Sequence, residues 1–557
     1  MSPSPLFPVP VRDDAEPHVY ISVGHQQMMT DPMRPLGLSL FQLTALPPMY
    51  EAAGRLFVDV TARLTSPSGR AALLELIGRG DPRIADALQT VVEREGFLPL
   101  APADDAARAA PPAADPPAPI ETDPAIVAGL IERTRASVAD AARTIEPETG
   151  PALFDAILAD IAELKRLLVD PLSSRAVMAG MEAAWWLNDH LVAWLGEKGA
   201  ADTLAQSVPG NITSEMGLAL FDVADAIRPH SEAVAFLERV VDDGFLDELA
   251  ALPGGGASRS AIESWLAAYG MRCIGEIDIT RPRWIERPST LLPLILGHVR
   301  NVAAGERHRR FEHGQHQAKA KERELLERLA AMPDGAPKVV ETKRMIDRLR
   351  TFAGYREYPK FGIVCRYLIY RQALLAEAER LVGAGVLHEP EDASFLTFQE
   401  LREAGRTRVA DAGLIAERRW AFDAFHALTP PRVLTSEGWA VTGSYRREGL
   451  PADVLVGLAV SRGTVEGRAR VIADIVRADI EPGDILVTAF TDPSWAPMLA
   501  AAAGLVTEVG GLMTHGAVVA REYGMPAVVG VDRATERIRD GQRIRLNGTD
   551  GSIELLG

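Results

Sequence analysis

Residues 505–526 read LVTEVGGLMTHGAVVAREYGMP, and this stretch decides how the C-terminal part of the chain folds. The apolar run 505–509 has the pattern of a strand, and Gly510-Gly511 ends it. A helix is expected to begin near His515 and run through GAVVARE, with Gly524 and Pro526 closing it. His515 then stands in a glycine-rich turn at a helix N-terminus, where backbone N–H groups and the positive end of the helix dipole favour an anion. The same field disfavours an imidazolium and keeps the ring neutral near pH 7. With Thr514 beside it, the arrangement suits a histidine that receives and passes on a phosphoryl group. The plain alternative is a histidine that only caps a helix, and the residue types alone leave that open.

Around this stretch, 453–557 alternates short Val/Ile/Leu runs with glycines, and RIRLNGTDGSIELL (543–556) reads as a hairpin. A compact α/β domain is expected there. Upstream, 431–452 is rich in Pro, Gly, Ser and charge and is expected to be a hinge. Residues 1–430 are expected to be mainly helical. In 151–168, Leu153, Ile157, Ile161, Leu164 and Leu168 recur at spacings of three and four. Asp123-Pro124 has the pattern of an N-cap followed by proline at the first helical position. The Pro/Ala-rich stretch 101–122 is expected to be a loop, because it has too little apolar surface to order itself. The fold class is therefore multidomain: a large, mainly α-helical domain followed by an α/β domain.

Composition narrows the function. Lys and Arg number 59 against 76 Asp and Glu, a net charge of -17, which argues against nucleic acid or an anionic membrane as partner. No apolar run is long enough to span a bilayer, and MSPSPLFPVPVRDD lacks the basic and apolar regions of a secretory leader. Cys273 and Cys365 are the only cysteines, too few for a disulfide scaffold or a cysteine zinc site, and are expected to be buried and inert. His308, His313 and His316 lie in the strongly charged segment 305–329, which reads as a solvated helix rather than a metal site. No metal ligand is assigned. A cytoplasmic protein is expected.

The Gly510, Gly511, Thr514, His515 and Arg521 pattern, with SRGTVEGRARVI (461–472) upstream, resembles the phosphohistidine swivelling domain of phosphoenolpyruvate-utilising enzymes. Met513 and Gly516 depart from the commonest form of that pattern and spare the nucleophile. The segments 19–43, 270–284 and 356–401 resemble the substrate-binding domain of rifampicin phosphotransferases. In that family a histidine takes the β-phosphate of ATP at an ATP-grasp domain and carries it to a hydroxyl of a rifamycin. The resemblance implies a phosphotransferase of the dikinase type acting on a rifamycin-like small molecule. It covers two of the family's three domains. No glycine-rich phosphate loop and no acidic metal pair is apparent, so ATP and Mg2+ are expected on a partner ATP-grasp domain or chain, with no intrinsic cofactor. A phosphohistidine-dependent condensing enzyme and a catalytically silent drug-binding protein remain the alternatives.

The resemblance further implies catalytic roles for Arg356 and Lys360, which would neutralise the transferring phosphoryl oxygens. By spacing alone, Arg356, Glu357 and Lys360 read equally as a surface ion cluster at a helix start. Gly511, Thr514 and Arg521 are implied as support for the phosphate site, and Gln27 and Met49 as substrate-binding residues in a methionine-rich segment. Arg272 and Arg283 are either phosphate ligands or structural partners of Glu276 and Asp278.

Overall fold

The computed structural model describes residues 7–12, 16–98, 120–443, 454–473, 480–512 and 514–556. The expected hairpin is present. Strands β12 (Arg543–Asn547) and β13 (Ser552–Leu556) pair antiparallel, with Leu546 opposite Ile553. They belong to an eight-stranded sheet that also contains β6 (Leu455–Val456), β7 (Leu458–Ser461), β8 (Thr464–Val471), β9 (Ile485–Thr488), β10 (Gly504–Thr507) and β11 (Ala527–Val529). The order is β6-β13-β12-β8-β9-β10-β11-β7, and β8 through β11 run parallel. The helix His515–Glu522 makes the crossover between the parallel strands β10 and β11, as the Gly-Gly turn and closing glycine require.

The middle of the chain is helical. Helix Pro124–Ile145 starts where expected, with the Asp123 carboxylate accepting from the Ala125 N–H. Helix Gly150–Leu168 buries Leu153, Ile157, Ile161 and Leu164 on one face. Helix Ile212–Ile227 is buried along nearly its whole length, as an all-round apolar helix must be. It packs on helices Gly255–Tyr269 and Leu292–Asn301 on one side and on Ala496–Leu499 of the C-terminal domain on the other. One apolar cluster therefore runs through both domains, joining Met216, Leu220 and Trp265 to Trp495, Met498 and Val519. Helix Glu306–Ala330 is largely solvated, and His308 pairs with Glu312 on its surface.

Two expected boundaries are corrected. The N-terminal part of 1–430 is not simply helical. Strands β1 (Val19–Ser22), β2 (Met49–Ala52) and β3 (Arg55–Asp59) form a sheet there. The expected hinge 431–452 opens with β4 (Val433–Thr435) and β5 (Ala440–Val441), which complete that sheet in the order β2-β3-β1-β4-β5. Ile21 pairs with Val433 across more than four hundred residues of chain. Strands this short, set among Pro and Gly, show no legible period. Residues 444–453, 101–119 and Met513 lie outside the described residues.

The N-terminal unit also clasps the C-terminal domain. Arg83 donates to the Gly530 carbonyl at 2.9 Å, Arg432 to the Glu508 carbonyl at 3.2 Å, and the Leu512 N–H to the Gly80 carbonyl at 2.8 Å. Gly511 lies so close to this unit that a Cβ there would stand 2.2 Å from the Gly80 oxygen.

Candidate active site at the domain interface

The 3-10 turn Ala353–Glu357 feeds directly into helix Tyr358–Gly383, with Pro359 in its first turn. That junction carries Arg356, Glu357 and Lys360 within little more than one turn, so all three side chains reach the same spot. The C-terminal domain brings His515 there. His515 Nδ1 lies 2.6 Å from Glu357 Oε2, and its Nε2 lies 3.1 Å from Lys360 Nζ. Arg356 Nη1 donates to Glu357 Oε1 at 3.1 Å. The three expected catalytic residues, His515, Arg356 and Lys360, thus meet across the interface, and the surface-cluster reading of the basic pair is excluded by their burial. Glu357 is only 2 % exposed at its side chain.

Electrostatics assign the ring nitrogens. Burial alone would raise the Glu357 carboxyl, but the imidazole that donates to it, together with Arg356 and Lys360, holds it far below the usual carboxylate range. An ionised Glu357 only accepts, so Nδ1 carries the ring proton and Nε2 keeps its lone pair. Burial pushes the His515 pKa down, Glu357 opposes this, and Lys360 and Arg356 add to it. The outcome is a neutral imidazole whose nucleophilic nitrogen faces an ammonium group. A phosphoryl group on Nε2 would bring its oxygens to that ammonium, which is the electrostatic arrangement that phosphoryl transfer needs.

The network continues behind the contact residues. Glu276, from the irregular segment 271–284, lies with Oε1 at 3.5 Å from Lys360 Nζ. Arg272 Nη1 bridges both Glu276 oxygens at 3.2 and 3.1 Å. Thr213 Oγ1 donates to Glu357 Oε2 at 3.1 Å. Arg272 is therefore an ion-pair partner of Glu276. Arg283 is structural: its guanidinium holds the Glu276 and Asp278 carbonyls and the Cys273 sulfur. Burial pushes the Cys273 thiol up to about 11, consistent with an inert residue, whereas Cys365 is only half-buried. Residue types could not have revealed Glu276 or Thr213 as parts of this site, because nothing in their local sequence distinguishes them from fold-bearing polar residues.

A cavity of about 320 Å³ adjoins the site. Val177, Met181 and Trp185 of helix Pro171–Leu195 line one wall and Leu512 and Val518 the other, with Arg356 and Glu522 as polar groups. The remaining expected residues are placed differently. The Thr514 hydroxyl donates to the Gly511 carbonyl at 2.8 Å and braces the turn. Arg521 holds the Val460 and Leu512 carbonyls and pairs with Asp202 at 3.2 Å. Gln27 ends the short helix Val23–Gln27, half-buried. Met49 packs against the cluster of Val23, Met29, Met33 and Ile277. Neither Gln27 nor Met49 lines the 320 Å³ cavity. Among the described residues, no cluster of His, Cys, Asp and Glu is arranged to hold a metal ion. No helix among them is long and apolar enough to cross a membrane.

Comparison with known proteins agrees with this architecture. Residues 172–357 match the rifampicin phosphotransferase fourth domain, and residues 480–551 match the mobile domain of PEP-utilising enzymes. The chain is 64% identical over 551 residues to a rifampicin phosphotransferase of Streptomyces sviceus, and 55% identical over 552 residues to that of Bacillus subtilis. These alignments cover 99% of this chain and 63% and 64% of the relatives. A prodigiosin synthesizing transferase of Serratia marcescens is 30% identical over 359 residues, covering 61% of this chain and 38% of that protein. By its sequence and its domains, the chain belongs to the rifampicin phosphotransferase family and spans 63–64% of the length of the curated relatives it matches.

Proposed function

We propose that this chain performs the acceptor half of an ATP-dependent phosphoryl transfer to a rifamycin-like antibiotic. His515 Nε2 takes the β-phosphate of ATP from an ATP-grasp unit, where the Mg2+ also belongs, and delivers it to a hydroxyl group of the acceptor. The observation that carries this reading is the pairing at His515, with Nδ1 on Glu357 at 2.6 Å and Nε2 at Lys360 at 3.1 Å. In the second step the acceptor oxygen bonds to phosphorus as the P–Nε2 bond breaks, and the bonding electron pair returns to Nε2. Lys360 and Arg356 stabilise the charge on the three equatorial oxygens and lower the cost of losing the hydroxyl proton to solvent. The ionised Glu357 holds the ring in the tautomer that leaves Nε2 free, the role a carboxylate plays in a hydrolase triad.

The apolar wall of the neighbouring cavity fits a largely hydrophobic acceptor, and the high identity to rifampicin phosphotransferases supports a rifamycin. The 30% match to a prodigiosin synthesizing transferase favours a second reading, in which the same histidine serves a condensation of small molecules. The deciding experiment supplies ATP labelled at the β-phosphate and an ATP-grasp domain from a family member. Acid-labile label should appear on the wild type and be absent from His515→Ala, and rifampicin should then remove it as phospho-rifampicin. A wild type that takes no label, or label that rifampicin never discharges, would refute the assignment.

A further inference from the structure

The contact residues of His515 are themselves held by one buried guanidinium. Arg272 is 1 % exposed, and its two arms lead in opposite directions. Nη1 binds Glu276, which reaches Lys360, while Nη2 donates to Thr213 Oγ1 at 3.3 Å, which in turn donates to Glu357. The path therefore closes on itself. It runs from Arg272 through Glu276 and Lys360 to His515 Nε2, then from His515 Nδ1 through Glu357 and Thr213 back to Arg272.

We propose that Arg272 is the positioning residue of the transfer site, setting Lys360 through Glu276 and Glu357 through Thr213; this rests on the phosphohistidine reading above. Every link except the two made by His515 lies within the helical domain. Two cations, Arg272 and Lys360, face two carboxylates, Glu276 and Glu357, so the set is charge-balanced without His515. The helical domain can thus keep the socket assembled while the histidine is elsewhere, and a returning histidine meets donors and acceptors already in place. Pre-placed groups need no reorganisation at the moment of transfer.

A fold-only role accounts less well for these contacts. Burying a charge pair is commonly no more stabilising than packing apolar side chains of the same volume. Arg272 Nε also has no hydrogen-bond partner among the described residues, although it is buried. The fork is spent on the two residues that lead to the histidine. Lysine could keep the charge but not the geometry, since a single ammonium cannot bridge Glu276 and reach Thr213 in fixed directions. Without the fork, Glu276 is free to take Lys360 fully into an ion pair and draw it away from Nε2.

The test uses the full chain, loaded with labelled phosphate on His515, with rifampicin as the acceptor. Arg272→Lys and Thr213→Val are the variants, and the valine substitution keeps the shape of a buried residue should the lysine variant fold poorly. Loading at the ATP-grasp unit should proceed at the wild-type rate in both. Discharge to rifampicin should slow 10- to 100-fold at saturating acceptor, with an unchanged KM, and Thr213→Ser should restore most of the rate. A purely structural role would lower the amount of folded protein and leave the discharge rate per loaded molecule unaltered. Discharge at the wild-type rate in both variants would overturn the positioning role alone. A wild type that takes no label would overturn the phosphohistidine reading and this inference with it.

Discussion

Glu522 closes the helix that begins at His515, and it is 6 % exposed in the interface between the two domains. The Asn211 side-chain amide donates to it across that interface. Burial raises its pKa to about 8 from an ordinary 4.5; the nearby Ser214 and Asn211 oppose this, and the carboxylates of Glu357 and Glu215 add to it. The docked protein therefore binds a proton at Glu522 near neutrality, whereas an undocked or unfolded chain exposes the group and releases it. The sign follows: below pH 4.5 both states are protonated and the group imposes no penalty. Between pH 4.5 and about 8 the native state loses stability with rising pH, by about 1.4 kcal/mol per pH unit. At pH 7 the loss amounts to about 3 kcal/mol. Glu522→Gln keeps the shape and the acceptor oxygen for Asn211 but cannot ionise. The variant should be more stable than wild type at pH 7 by up to about 3 kcal/mol, and no more stable near pH 4.5. Thermal unfolding of the two proteins, compared from pH 4.5 to 8.5, provides the measurement. The difference between them is what counts, because burial also raises Asp81, Asp202 and Asp492 and tilts both curves alike. Parallel curves for the two proteins would refute the reasoning, since they would mean that Glu522 binds no extra proton in the native state.

Lys360→Ala and Arg356→Ala should each slow discharge of labelled His515 to rifampicin by roughly a hundredfold, about 3 kcal/mol of barrier, and leave loading from ATP unchanged. Discharge at the wild-type rate in both would remove the basic pair from the transfer step. Gly516→Ala would place a Cβ 2.2 Å from the Thr491 hydroxyl, in the first turn of the His515 helix. The resulting overpacking should destabilise the chain by about 1–3 kcal/mol, read as a lower unfolding midpoint.

Much of the C-terminal domain was legible because its signals are local. The strand, the Gly-Gly turn, the helix start at His515 and the closing Gly524 lie within 22 consecutive residues, and each reports a backbone conformation that neighbouring residues dictate. The buried stripe of helix Gly150–Leu168 is legible for the same reason, since its period of three to four needs no knowledge of what packs against it. The N-terminal sheet has no such signal. Strands β4 and β5 are three and two residues long and gain their order from β1, some four hundred residues earlier. Their Pro/Gly-rich surroundings therefore suggested a connector.

The candidate site divides along the same line. From sequence alone follow the nucleophile His515, the phosphohistidine character of its domain, and, through family resemblance, Arg356 and Lys360. The histidine's chemistry is set by its own turn, and a helix start determines which side chains share a turn. Only the tertiary structure decided that Glu357 orients the ring, that Arg272 pairs with Glu276 rather than with a phosphate, and that Glu522 is kept protonated. Those properties depend on burial and on which charges meet within a few ångströms. Residues 213, 272, 276, 357, 360 and 515 come from five separate segments spread over three hundred residues of chain. Their pairing is a consequence of packing, because a buried charge must find its partner wherever the fold brings one.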